Sequence, residues 1–478
     1  MTSYLIIFTF LSLVLFPSCH PEQKRSVLKN EILVASGFPI GKIDPFTTGK
    51  GLGANLIELI YRPLFRIGRD NEIVPEYAKN VKWKKNRTVL EVTLQNDQME
   101  DVKKTIRESI QNQSSGFGHL RQNLKSIQQT APDKLEISFN KFDQGILYIF
   151  SNLPIVEYSH AEKETGPFRI QEQNDTLVIL KRKTPDTYKI NKITFKTYPS
   201  ARRAIRDFVA GSVDFIISAD ETDFEVLNNL PEIEIAYLNT NLLYKVLKGP
   251  KYPNPNDSKS WQKLQYSLLE KKPFEELNHQ YISALFPVPK NSPRYDEIEK
   301  SVLDIKPDST PIMDMPQTPL TLNFLDAQGK DQRIALKFKR FLEGKGYKIQ
   351  LSGLNPSEFE KKVFIDRDFS LALIPYTVKD PVFSNYLVFH TPKGPGSLNI
   401  SGYSNPKLDA HLEEARYNPD PAEAKEAFSL AMQELMKKPP ALFLFWVRTP
   451  LVYRKSCRGF DLDADKFFSS LKDVTCEL

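Results

Sequence analysis

Cysteine is nearly missing from this chain of 478 residues: Cys19, Cys457 and Cys476 are all there are. No C-x-x-C occurs, so neither a dithiol redox motif nor a cysteine zinc motif is present. The six histidines (His20, His119, His160, His279, His390, His411) are scattered, with no H-x-x-x-H or H-x-x-E-H spacing, so no metal cluster is visible. No G-x-S-x-G stands at a strand–helix elbow, which leaves a hydrolase without its usual nucleophile turn. There is no internal repeat and no low-complexity tract. A net charge of +6 is small for this length and does not by itself suggest nucleic acid, which needs a concentrated basic face. Glycine is modest at 20 while proline reaches 34, which points to many fixed turns. At roughly 150 residues per domain, the length suggests about three structural units.

What is present begins at the N-terminus. Tyr4 to Phe16 is an almost unbroken apolar run. It is short of the ~20 residues a membrane-spanning helix needs, and it suits the core of a signal peptide. Pro17-Ser18-Cys19 follows at once, and a Cys after an apolar core and a small residue resembles the bacterial lipobox, which implies lipidation of Cys19. Phe16-Pro17 and the lack of a Lys or Arg before the core depart from that pattern, and an ordinary cleaved signal is the other reading. Both readings imply export. Residues 1–18 are then a signal peptide and 19–30 a polar tether. Cys457 and Cys476 remain as an even pair in an oxidising compartment, either bonded to each other or reduced.

The most organised stretch is Glu164 to Ser218. Four apolar runs are separated by the turn Asn174-Asp175-Thr176 and by a helix between Ser200, a candidate N-cap, and Gly211, a candidate left-handed stop. A short strand–helix–strand unit argues for a parallel, right-handed crossover and an α/β core. Before it, Thr47 to Gly53 is glycine-rich but lacks the G-K-S/T ending of a phosphate loop, and reads as a flexible loop before a helix at 54–61. Lys82 to Arg87 is a basic turn between strands. After it, strands are expected at 233–238 and 242–247, helices at 220–230, 261–269, 274–285, 333–344, 356–363, 408–417 and 422–436, and a proline-rich surface connection at 287–319. Ala441 to Tyr453 is a strongly apolar strand.

The order of these segments resembles the extracellular solute-binding proteins of the peptide/nickel class, the lipoprotein receptors of peptide ABC importers. Ile43-Asp44-Pro45, Tyr61 to Pro75, Ala78 and Trp83, Thr165-Gly166-Pro167-Phe168, Ala210 to Asp214, and Gly402 to Asp409 match successive motifs of that family in order and spacing. The resemblance implies an α/β, periplasmic-binding-protein-like two-lobed fold of the class II (cluster C) type with an extra α+β subdomain in the first lobe. The discontinuous first lobe would comprise 31–61, 161–240 and 441–478, the inserted subdomain 62–160, and the second lobe 241–440. Two crossing strands would lie near 237–247 and 444–453.

The implied role is non-enzymatic and without cofactor: binding an oligopeptide or related small solute in the interlobe cleft and delivering it to a membrane permease, as a lipid-anchored monomer on the periplasmic or cell-surface side. Matching loops place the ligand near Thr48, Gly49 and Lys50 of the first lobe and Tyr376, Thr377 and Asp380 of the second. Two departures bear on specificity. The region 239–269 lacks the family's Val-Arg helix. At 376–381, Y-T-V-K-D-P, the Asp-Pro is kept, but Thr377 or Lys379 stands where peptide binders often carry an Asp for the ligand's ammonium. Those losses motivate an alternative, a surface lipoprotein that keeps the fold as an interaction or structural protein.

Overall fold

The computed structural model describes residues 28–477 apart from 47–51, 68–71, 96–97, 113–119, 160–162, 188, 219–223, 225–226, 228–229, 254–257, 276–278, 293, 306–315, 317, 327–328 and 393–396. The signal peptide, Cys19, the Thr48-Gly49-Lys50 loop and most of the helix expected at 220–230 lie outside the described residues.

Two long antiparallel strands, Ile233–Lys248 and Ala441–Arg454, run through the middle of an 11-stranded mixed sheet. At ~3.3 Å per residue, the 16-residue first strand spans about 50 Å, long enough to serve two cores. Residues 243–247 pair with 441–446 and, on their other edge, with Leu371–Thr377. Residues 233–239 pair with 448–454, which in turn pair with Phe215–Ile217. The register shifts between Asn239 and Leu243, where the two halves meet. The two strands expected at 233–238 and 242–247 are therefore one strand with an irregularity. The strand at 441–454 likewise changes neighbours within its own length, leaving Tyr281–Ser283 for Phe215–Ile217.

On one side the sheet continues through Glu31–Ser36, Lys192–Thr197, Leu177–Arg182 and Phe168–Gln173. Lys192–Thr197 and Phe215–Ile217 both pair parallel to Glu31–Ser36, so the crossover is parallel, with the N-terminal strand inserted between its two strands. The connecting helix Ala201–Val209 begins at Ser200, whose side chain accepts from the Arg203 N–H, and stops at Gly211 with φ 86°. Such a cap is worth ~1 kcal/mol. On the other side the sheet continues through Leu371–Thr377, Leu320–Leu325 and Ile349–Leu354. One apolar core on this side gathers Leu243, Leu247, Phe389, Leu408, Met432 and Phe443. The opposite face holds Tyr244, Val246, Trp261, Phe338, Leu373 and Phe445.

Residues 80–139 carry a separate four-stranded antiparallel sheet, covered by the helices Met99–Gln111 and Gln144–Asn152 around Leu90, Ile106, Ile137 and Phe150. Its strand Leu124–Ala131 escaped the sequence reading because none of its residues is fully buried and no apolar alternation marks it. The turn at its basic end is made by Lys85, Asn86 and Arg87, all at positive φ. The chain returns from this subdomain at Thr165-Gly166. Arg62 N–H donates to Thr165 Oγ1 at 2.8 Å, and Thr165 Oγ1 donates to Ile155 O at 2.8 Å. A Cβ on Gly166 would lie 2.6 Å from the Ile60 carbonyl carbon, so only glycine fits there.

Three expectations need correction. Residues 274–285 are not a helix: Tyr281–Ser283 is a strand that pairs beside 445–447, anchored by Tyr281 and Phe274 packing on Phe445 at 4.4 and 5.0 Å. The proline-rich connection contains a helix, Tyr295–Leu303, that buries Tyr295, Ile298 and Val302; its i, i+3, i+7 pattern was hidden among the prolines. The segment expected as a helix over 356–363 opens as one at Pro356–Phe359 behind an Asn355 capping box, then widens to a π-helix at Glu360–Ile365. Cys457 and Cys476 are joined in a disulfide that holds the C-terminal tail as a small two-stranded ladder.

Candidate functional site

The helix Gly53–Ile60 and the helix Gln144–Asn152 face the second lobe across a cleft. One cavity of about 360 Å³ is walled by Ile57, Glu58 and Tyr61 from the first lobe, by Tyr148 and Asn152 from the subdomain, and by Tyr376, Thr377 and Phe383 from the second. A neighbouring cavity of about 520 Å³ shares Arg66, Tyr148, Ser151 and Asn152 with it and reaches Asp380 and the C-terminal residues Asp461 and Lys466.

The chemistry of these walls is mixed. Arg66 donates to Glu58 at 2.9 Å and also to Glu76. Burial opposes its charge, but Glu58 and Glu76 outweigh burial and raise its pKa above the usual arginine value. Tyr61 is pushed up to about 12 by burial, helped by Glu164 and Asp44, and stays a neutral donor. Tyr376 is likewise raised to about 12 by burial, and its hydroxyl donates to Ser384 O at 3.0 Å. Lys379 lies exposed at the rim.

Of the residues expected at the ligand, Tyr376 and Thr377 stand together on the second-lobe wall and Asp380 lines the adjoining cavity. Thr48, Gly49 and Lys50 lie outside the described residues, while Pro45 and Ala54 on either side of them line the cleft. Asp380 is already engaged: it caps the helix Pro381–Phe389, accepting from the Phe383 N–H at 2.7 Å. Burial pushes its carboxyl above the usual carboxylate range, against the Phe383 N–H and the Arg294 guanidinium. A free carboxylate for an ammonium is therefore not what Asp380 offers.

Two further features escaped the sequence reading. Asp143 caps the helix Gln144–Asn152 through the Gly145 N–H and also receives a bidentate pair from Arg416 of the second lobe, at 2.9 and 2.6 Å. Arg416 is packed among Phe383, Tyr386 and Tyr417, at 4.9, 4.4 and 5.0 Å from their ring centroids. A Cβ on Gly145 would meet the Phe383 ring at 2.7 Å. The subdomain is thus clasped to the second lobe beside the cleft. The second feature is Lys245, in the crossing strand, 2% exposed, with its ammonium 4.2 Å from the Tyr376 ring centroid and 5.1 Å from that of Phe389. The signal for it was a lone lysine between Leu243 and Leu247 in an otherwise apolar run. Among the described residues, no group of three or more His, Cys, Asp or Glu is placed to hold a metal ion, and no helix is long and apolar enough to cross a membrane.

No family model matches the sequence, and no curated protein matches it. Solved structures do. NikA from Brucella suis, in complex with Fe(III)-EDTA, superposes with a TM-score of 0.76 at 15% identity, covering 94% of this chain and 100% of that one. The oligopeptide-binding protein AppA from Bacillus subtilis, in complex with a nonapeptide, gives 0.68 at 15% identity over 95% and 100%. The ABC transporter-associated periplasmic binding protein DppA from Helicobacter pylori, in complex with the peptide STSA, gives 0.70 at 14% identity over 94% and 98%. At such identities the likeness is one of architecture, and it spans nearly the whole chain: this protein has the two-lobed α/β fold of the periplasmic solute-binding proteins.

Proposed function

We propose that the chain is the substrate-binding component of an ABC importer. It takes a peptide or related small solute in the interlobe cleft, closes on it, and presents the closed form to a membrane permease. The observation that carries this reading is the cleft itself, walled by residues of both sides of the sheet and crossed by two long strands. A ligand that touches both walls favours the closed arrangement, and closure is a state a partner can read. Structures of the same fold hold a nonapeptide, the peptide STSA and a chelated metal. The first lobe is read as 31–61, 161–240 and the tail, with 62–160 inserted and 241–440 as the second lobe. Lipidation of Cys19 after cleavage of residues 1–18 would tether a monomer at the membrane.

The test is thermal unfolding of the mature chain against a peptide library. A ligand at 100 times its Kd adds ~2.7 kcal/mol and raises Tm. Absence of any shift, with capture of a surface macromolecule instead, overturns the reading in favour of an interaction protein, which Thr377 or Lys379 in place of an ammonium-binding Asp otherwise supports. For the anchor, Cys19→Ala protein is expected in the soluble fraction; continued membrane partitioning refutes lipidation.

A further inference from the structure

The second lobe buries a cation with no counter-charge among the described residues. Lys245 is 2% exposed and, among the described residues, has neither a hydrogen bond nor an ion pair. Its contacts are two ring faces, Tyr376 and Phe389. Burial alone pushes its amine down to about 7. One helical turn before Phe389, the buried Oδ1 of Asn385 also lacks a hydrogen-bond partner. Unpaired buried charge is costly, and a methionine would fill the same space without that cost. A purely structural account of Lys245 therefore leaves its amine unexplained.

The Tyr376 ring belongs to two places at once. It lines the cleft beside Thr377, and it holds the Lys245 ammonium 4.2 Å from its centroid. The two residues are diagonal neighbours in the ladder, where Tyr376 opposes Leu243 and Ile374 opposes Lys245. The Tyr376 hydroxyl donates a hydrogen bond to Ser384 O.

We propose that Lys245 is the receptor for a carboxylate of the cleft ligand, with Tyr376 as the gate over it. The inference rests on the solute-binding reading and deepens it: where Thr377 offers no anion for an ammonium, the wall behind it offers a cation for a carboxylate. The ligand class is a carboxylate-bearing peptide or small acid, anchored by its negative end. The Tyr376 ring that shields the amine gives way to the carboxylate, whose charge restores the full ammonium.

The test uses the mature chain, wild type and Lys245→Met, with one random tetrapeptide mixture made in two end forms and with succinate, at fixed ionic strength. The forms are N-acetylated with a free carboxylate, and amidated with a free amine. Wild type is expected to bind the acetylated acid at least tenfold more tightly than the amide, with proton uptake at pH 8 seen by calorimetry in buffers of different ionisation enthalpy. Lys245→Met is expected to lose that preference and the proton uptake while melting no lower than wild type. Tyr376→Phe, which frees the gate from Ser384, is expected to bind the acid more tightly; a merely structural lysine predicts no such gain. If peptides fail but succinate stabilises wild type and not Lys245→Met, the carboxylate site stands and the peptide reading falls. Equal binding of acid and amide to wild type, or unchanged acid and succinate binding in Lys245→Met, overturns the proposal.

Discussion

Arg416 and Lys245 are both cations buried in the second lobe, both against aromatic rings, and they are treated oppositely. Arg416 has a carboxylate, Asp143, in bidentate contact, and its planar guanidinium is stacked among three rings. Asp143 raises its pKa in spite of burial. Lys245 has two rings and, among the described residues, no anion, and burial pulls its pKa down. The first arrangement completes an interface between the subdomain and the second lobe. The second leaves an interaction unfinished. A satisfied buried charge reads as structure, whereas an unsatisfied one beside a cleft reads as a place kept for something else.

The comparison can be broken by experiment. The largest effect is expected from Asp143→Ala, which strands the Arg416 guanidinium and removes a helix cap; about 3–5 kcal/mol should be lost in urea unfolding. A loss under ~1 kcal/mol would mean that the clasp carries no stability. Arg416→Lys keeps the charge but loses the fork and the stacking, and should cost roughly 1–3 kcal/mol. A double-mutant cycle with Asp143→Ala should then show strong coupling between the two sites.

Lys245→Met should act in the opposite direction, stabilising by on the order of 1–3 kcal/mol at pH 6. The pH dependence has a definite sign. Below about 7 the lysine is protonated in both folded and unfolded chains, and the burial penalty is fully present. Between there and ~10.4 the folded chain releases the proton while the unfolded chain keeps it, so wild-type stability rises with pH. The gap between wild type and Lys245→Met should narrow across that window, as read by urea midpoints at pH 6 and pH 9.5. A constant gap would show that Lys245 finds a partner. The smallest stability effect, within about 0.5 kcal/mol, is expected for Thr377→Asp at its exposed position. Its effect on recognition should be large, since a carboxylate in the cleft wall should shift preference from acid-ended towards amine-ended peptides.

Much of the architecture was legible because local chemistry carried it. Ser200 and Gly211 marked the ends of a helix, Asp420-Pro421 opened another at Pro421–Lys437, and the apolar run at 441–454 was a strand. The Thr165-Gly166 motif was legible as a match, and its cause is steric, the contact with Ile60. The misreadings fell where long-range pairing overrides local pattern. Residues 281–283 became a strand because 445–447 offered an edge, and 233–248 became one strand because a partner spans its full length. At the cleft, Tyr376 and Thr377, named from sequence matching, stand on the cavity wall. The Asp380 side chain is spent on capping its own helix.

By itself, the sequence determined the ends of the helix after Ser200, the opening of the helix at Pro421 and the apolar strand at 441–454. Those are properties of neighbours along the chain, set by periodicity, caps and turn sterics. Only the tertiary structure decided which charges are satisfied. Asp143 and Arg416 are 273 residues apart and meet across two bodies, while Lys245 sits in an apolar run that no pattern distinguishes from a snorkelling surface lysine. The worth of a charge depends on the dielectric around it and on the nearest opposite charge, and both are set by the folding of distant segments onto one another.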